Sequence, residues 1–308
     1  MVQLAVRGLL VGLVMAASVA WADESKAPHV SNPLTNIYTI AHGGVDSNST
    51  FIITSEGVIV VDTGTTPKEA QAVMDEISKR TDLPVVYTIN THHHGDHVFG
   101  NQVFRDGRTI IAHKNVHRFL AGVRGKEHLD LFKTFGIAGM DEVKVTPPNL
   151  VYEGMLEIFL GGYHLRLDHQ GRGHTDGDTF IFMPHMQAVI TGDLVFNQKI
   201  PYMGDAYVED WINSLDYLEN LHAETYIPGH GEVGGKPIVI AMKHYLINLR
   251  TWVKDEIQKG HSLKEAQENV GPKIKERYAH WKQHDWIDAN IERAYTEYSL
   301  AGMAGTEN

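Results

Sequence analysis

The stretch TINTHHHGDHVFGN, Thr88–Asn101, sets five metal-capable side chains within six residues: His92, His93, His94, Asp96 and His97. The apolar β-formers of LPVVYTIN (83–90) run straight into it, so the cluster stands at the end of a buried strand. In an extended segment residues two apart point the same way, which lets His92 and His94 address one position. Gly95 permits a sharp turn, after which Asp96 and His97 can face a second position nearby. His93, between two such residues, is expected to point away and to serve structurally. Further candidates lie at other strand ends, each beside glycine: His174 in GRGHTDGD, Asp193 after the apolar run AVIT, and His230 in PGHG.

Around this cluster the chain reads as an exported globular protein. Its 308 residues suffice for a sizeable core, and 43% hydrophobic with 21% charged residues is an ordinary globular balance. A net charge of −11 argues against a nucleic-acid partner, since phosphate binding needs a basic surface. With no cysteine there is no disulfide, no thiolate ligand and no cysteine nucleophile. Residues 1–22 read as a signal peptide: Arg7, the 13-residue apolar run GLLVGLVMAASVA, and the small-x-small site Ala20-Trp21-Ala22. Thirteen apolar residues fall short of the ~20 that span a bilayer. Cleavage after Ala22 places the mature protein in a periplasm or outside the cell, free of the membrane.

Strand-like runs NIYTIA, STFIIT and GVIVVDTG precede a helix over TPKEAQAVMDEISKR, with Pro67 in its first turn. RTIIAH reads as a strand and KNVHRFLAGV as a short helix. Between Gly125 and Pro148 periodicity fades, as in a lid or an irregular connection; Phe132 and Phe135 fit an apolar wall or the core. LEIFLGGYHLRLDHQG and DTFIFMPHMQAVITGD read as hairpins, VEDWINSLDYLENLHA as a helix, and TYIPGHG as a short strand. From Lys236 the chain is mostly helical, with breaks expected near Gly260 and at Gly271-Pro272. The stripe Leu246, Leu249, Trp252 and Val253 fits either a cap over the site or a dimer face. The expected fold class is α/β, with mixed sheets covered by helices.

H-x-H-x-D-H, followed in order by Gly-His-Thr, Gly-Asp and Gly-His-Gly, resembles the metallo-β-lactamase superfamily, and VDTG at Asp62–Gly64 also matches. The resemblance spans about residues 36–231. It implies an αβ/βα sandwich with the site at the edge between two sheets, residues 23–235 as the catalytic domain and 236–308 as a helical extension packed on it. By the same resemblance His92, His94 and His174 would hold a first metal, Asp96, His97 and His230 a second, and Asp193 would bridge them. Asp62 would orient a ligand from behind. Two divalent ions are implied, with zinc suiting these donors and iron or manganese also compatible.

Chemistry of this kind uses a metal-bridged hydroxide that attacks a carbonyl, with Asp96 orienting it or moving a proton. The substrate is expected to be a small ester, thioester, lactone or lactam. An Asp at position 193 looks more like thioester hydrolases and lactonases than like β-lactamases with Cys there, so a dedicated or promiscuous β-lactamase is the alternative within hydrolysis. A mononuclear-iron persulfide dioxygenase and a metal-binding accessory protein are the alternatives outside it. GDLVFNQKIPYMGDA resembles a periplasmic branch found beside sulfur-oxidation and quinoprotein systems. On that match Lys199 could take a substrate carboxylate and Tyr202 could donate a hydrogen bond; a solvated lysine and a packing tyrosine are the plain readings.

Overall fold

The computed structural model describes residues 28–304, and the leader read at 1–22 lies outside that range. The first sheet has seven strands in sequence order: β1 (His29–Leu34), β2 (Ile37–Ala41), β3 (Asn48–Ile53), β4 (Val58–Val61), β5 (Val85–Ile89), β6 (Thr109–His113) and β7 (Leu150–Tyr152). Pairing is antiparallel up to β4 and parallel from there on. The second sheet holds β8 (Met155–Leu160), β9 (Tyr163–Asp168), β10 (Phe180–Met183), β11 (Ala188–Phe196) and β12 (Thr225–His230), ordered β12-β11-β10-β9-β8. Its one parallel pair is β11 with β12, which brings the C-terminal ends of both strands to the same edge.

Strand alternation decides the layers. Along β4, Ile59 and Val61 face the second sheet while Val58 and Val60 face outward, and both sets are buried. Ile37, Ile52, Ile89 and Ile111 join the inner set against Leu165, Leu167, Ile181 and Ile227. The outer face of the first sheet is covered by α1 (Pro67–Ser78), which buries Ala70, Val73 and Ile77. Thr66 caps α1 by accepting from the Glu69 backbone, and Pro67 sits where its missing N–H costs nothing. Two single-turn helices, α2 (Gly95–Val98) and α3 (Asn101–Phe104), follow β5.

Next come α4 (Lys114–Ala121) and α5 (Val123–Lys133). The second of these occupies the region read as irregular. Its buried stripe is only Gly125, Leu129 and Phe132, and exposed Val123 and Leu131 blur the period. The outer face of the second sheet is covered by α6 (Val208–Asn220), α7 (Lys236–Gln258), α8 (Leu263–Arg277) and α9 (Ile287–Ala304). Phe180, Phe182 and Val189 pack there against Trp211, Leu215, Tyr245, Leu246 and Leu249. The break expected at Gly271-Pro272 is absent: α8 runs through both residues. A Ser262–Glu265 capping box starts it, and burial of Ala266, Val270 and Ile274 outweighs the interior proline. The architecture is thus two mixed sheets flanked by helices.

Candidate metal centre

The site forms where β5, β11 and β12 end at one edge of the sandwich. β5 delivers Thr91–His94, all buried, and His94 then starts α2 in extended conformation. Gly95 is needed for space here, because a Cβ on it would sit 2.3 Å from Phe99 and 3.0 Å from Phe132. β11 delivers Asp193 and β12 delivers His230. His174 comes from the β9–β10 loop, where Asp178 fixes the turn by accepting from the Thr175 N–H and hydroxyl.

Among the described residues three groups of ligand-type atoms result, with His93, His94 and Asp205 forming one beside the two that follow. His92, His94, His174 and Asp193 offer one atom each within 4.8 Å of one another, and so do Asp96, His97 and His230. Asp193 Oδ2 lies 3.6 Å from His92 Nε2, 3.3 Å from His174 Nε2 and 3.4 Å from His230 Nε2, while its Oδ1 lies 3.1 Å from His97 Nε2. His174 Nε2 faces His94 Nδ1 at 2.9 Å, and Asp96 Oδ2 lies 3.2 Å from His230 Nε2. Asp193 is therefore in reach of both groups. Gly229 makes room for it, since a Cβ there would stand 1.9 Å from Asp193 Oδ1.

The outward nitrogens show how the rings are held. Asp62 Oδ2 accepts from His97 Nδ1 at 2.9 Å and from the Thr91 hydroxyl at 2.7 Å, and Asp62 Oδ1 accepts from the Thr91 N–H at 2.8 Å. Because Thr91 spends its proton on Asp62, its oxygen accepts from His92 Nδ1, 3.0 Å away. That leaves the His92 Nε2 lone pair facing inward, and this buried atom has no hydrogen-bond partner. The Asp46 carbonyl accepts from His230 Nδ1 at 3.0 Å, and Asp205 Oδ2 accepts from His94 Nε2 at 3.1 Å.

The electrostatics also call for cations. Burial by itself would raise Asp193 and Asp96; the imidazoles, His97 foremost, outweigh it and hold both carboxyls well below their usual range. Burial likewise opposes charge on His97 and His230, yet Asp193 foremost outweighs it and raises both. Burial keeps His92 and His174 neutral, the latter lowered to about 4. A divalent ion would take the place of the protons that His97 and His230 favour here, and imidazoles beside ionised carboxylates are a donor set that fits such ions.

His93 takes no part in these two groups. It stacks on Phe119 with ring centres 3.7 Å apart and lies 3.8 Å from Asp205. Tyr202 packs its ring 5.6 Å from His94 and 5.0 Å from Trp286, and burial raises its hydroxyl to about 12. Lys199 is not solvated: its side chain is 4% exposed and its ammonium pairs with Asp46. Phe132 is buried in the cluster around Phe99, Phe119 and Met140. Sequence reading missed Asp205, Asp46, Thr91 and His128; the last accepts from the Gly95 N–H at 3.0 Å. GDA at 204–206 was the only visible hint of Asp205, and an isolated carboxylate in a loop carries little signal.

The family model of the metallo-beta-lactamase superfamily matches residues 42–230, which contain every side chain of both groups. A metallo-beta-lactamase type 2 of Bacillus cereus is 25% identical over 201 residues, 64% of this chain and 71% of the relative. Metallo-beta-lactamase IND-1 of Chryseobacterium indologenes is 26% identical over 245 residues, 75% of this chain and 92% of the relative. Among solved structures, a metallo-beta-lactamase from Pontibacter korlensis superposes with a TM-score of 0.60 at 20% identity, over 72% of this chain and 100% of that one. The DIM-1 metallo-beta-lactamase gives 0.58 at 19% identity, over 71% of this chain and 96% of that one. With its histidine and aspartate groups at the sheet edge and a family match across most of its length, this chain belongs to the metallo-beta-lactamase superfamily.

Proposed function

We propose that the protein is an exported dinuclear metal hydrolase that opens the carbonyl of a small ester, thioester, lactone or lactam. The observation that carries this reading is Asp193, whose single carboxylate lies within 3.6 Å of histidines from both groups. In this reading His92, His94 and His174 hold one ion, Asp96, His97 and His230 the other, and Asp193 stands between them. When bound, such ions polarise a carbonyl and make water nucleophilic near neutral pH.

The chain's own groups do the rest. Asp96 keeps its carboxylate ionised at the rim of the centre, where it orients the attacking water or receives its proton. Asp62, Thr91, Asp46 and Asp205 hold the imidazoles in the tautomers that turn their free nitrogens inward. Tyr202 and Trp286 wall one side. The relatives are named metallo-beta-lactamases, which keeps the lactam in the substrate set. Residues 23–235 form the catalytic domain in this reading and 236–308 a helical layer packed on it. Cleavage after Ala22 delivers the protein to the periplasm or beyond; the mature N-terminal mass, starting at Asp23, checks this part. Among the described residues no helix is long and apolar enough to cross a membrane.

The test is elemental mass spectrometry of exported protein beside Asp193→Ala. Close to two zinc ions per chain, with a loss in the variant, is the expected result, and it justifies screening the four acyl classes. A single iron that is indifferent to Asp193 would overturn the reading and point to persulfide oxidation.

A further inference from the structure

The loop after β11 reaches both histidine groups, and the helical layer that follows the family match holds that loop by its backbone. On α9, Asn290 donates to the Pro201 carbonyl at 2.9 Å, Arg293 donates to the Ala206 carbonyl at 2.5 Å, and Glu297 accepts from the Val208 N–H at 3.0 Å. These three residues lie on one helix face. Between α8 and α9, the Lys282 N–H donates to the Gln198 carbonyl and the Lys282 carbonyl accepts from the Ile200 N–H, both at 2.9 Å. Lys199 is thus fixed through both of its chain neighbours.

Its side chain is spent on one task. The buried ammonium pairs with the Asp46 carboxylate and lies 3.4 Å from the Asp46 carbonyl oxygen. That same oxygen accepts from His230 Nδ1. Asp46 sits in the left-handed region at φ 64°, just after Gly43, Gly44 and Val45 in a loop of little intrinsic stiffness. Burying an ammonium costs solvation, so a lysine here needs a structural return.

We propose that Lys199 is a positioning residue for His230. By clamping Asp46 it keeps the carbonyl on His230 Nδ1–H and so aims Nε2 at Asp96 and Asp193, while the segment around Lys282 sets the lysine in place. The helical layer after residue 230 then acts on the metal centre through Lys199. This inference rests on reading His230 as a ligand of the second ion.

Cobalt(II) is the probe. Metal-free wild type, Lys199→Met, Lys199→Arg and Asp46→Asn are titrated against a competing chelator, with visible absorption reporting the coordination and melting of the metal-free proteins reporting the fold. Wild type is expected to bind two equivalents. Lys199→Met should keep one and bind the other about tenfold to hundredfold more weakly. Lys199→Arg should recover part of that loss, and Asp46→Asn should weaken the same equivalent. Should Lys199→Met fail to fold, Asp46→Asn decides, because its carboxylate is 49% exposed and its loss is tolerable to the core. Wild-type affinity for both equivalents in the folded variants overturns the proposal. A single equivalent in wild type overturns the two-ion reading itself, and the proposal with it.

Discussion

At the scale of single residues, Gly229 limits how closely β11 and β12 can bring their polar groups together. A methyl there would stand 1.9 Å from Asp193 Oδ1 and 2.8 Å from the Gly192 carbonyl carbon, so the carboxylate and the strand backbone must both shift. Gly229→Ala is therefore expected to lower metal affinity at least tenfold, because Asp193 serves both groups. It should also destabilise the metal-free protein by about 1–3 kcal/mol, the usual cost of overpacking. Equilibrium dialysis with zinc and chemical denaturation of the metal-free variant measure the two effects. Unchanged affinity would show that Asp193 can move without consequence. The seven side chains that converge were readable in the sequence because each stands in a short motif beside glycine, although His174 lies mid-loop and Asp193 inside β11 and not at strand ends as expected. Of their partners only Asp62 was expected: Asp205 meets His94 across 111 positions, and the Asp46 carbonyl meets His230 across 184. No local pattern encodes such pairs.

At the scale of elements, strands read well because short runs rich in apolar, β-branched and aromatic residues, bounded by turn residues, mark β2 to β6 and β8 to β11. The three-residue β7 and the proline-bearing β1 lack that signal, with their side chains half-buried or exposed except for Tyr152. Helix α8 shows the opposite failure, where a strong local breaker lost to tertiary packing. Gly271 and Pro272 stand in its interior, yet Val270, Gly271 and Ile274 are buried and the capping box secures the start. Two substitutions test that balance. Ser262→Ala removes the hydroxyl half of the box, leaving the backbone N–H of residue 262 on Glu265, and should cost about 1 kcal/mol. Pro272→Ala restores a backbone donor and should stabilise by about 1 kcal/mol, the helical gain being partly offset by a freer unfolded chain. Urea denaturation reads both, and a destabilised Pro272→Ala would mean that the proline ring itself is needed for packing.

At the scale of the whole molecule, the question is whether the helical layer is a separate unit or part of one core. Phe180, Phe182 and Val189 of the second sheet share a single buried cluster with Trp211, Tyr245, Leu249, Val270 and Ile291. Without α7 to α9 those strand residues would keep only α6 as cover, and the loop that carries Lys199, Tyr202 and Asp205 would lose the backbone partners supplied by Lys282, Asn290 and Arg293. A stripe such as Leu246, Leu249 and Val253 looks alike whatever it covers, which is why the sequence left a cap over the site and a dimer face open; it packs instead on the outer face of its own second sheet. Such shared burial predicts one cooperative unfolding transition. The tryptophans among the described residues provide a direct reporter, since Trp211, Trp252, Trp281 and Trp286 all lie in the helical layer or its turns. Their fluorescence follows that layer, while far-ultraviolet circular dichroism follows sheets and helices together. In urea, with chelator present, the two curves should coincide at one midpoint. A fluorescence transition at lower urea would mean that α7 to α9 detach first, and the helical layer would then be an accessory to the sandwich, not a wall of its core.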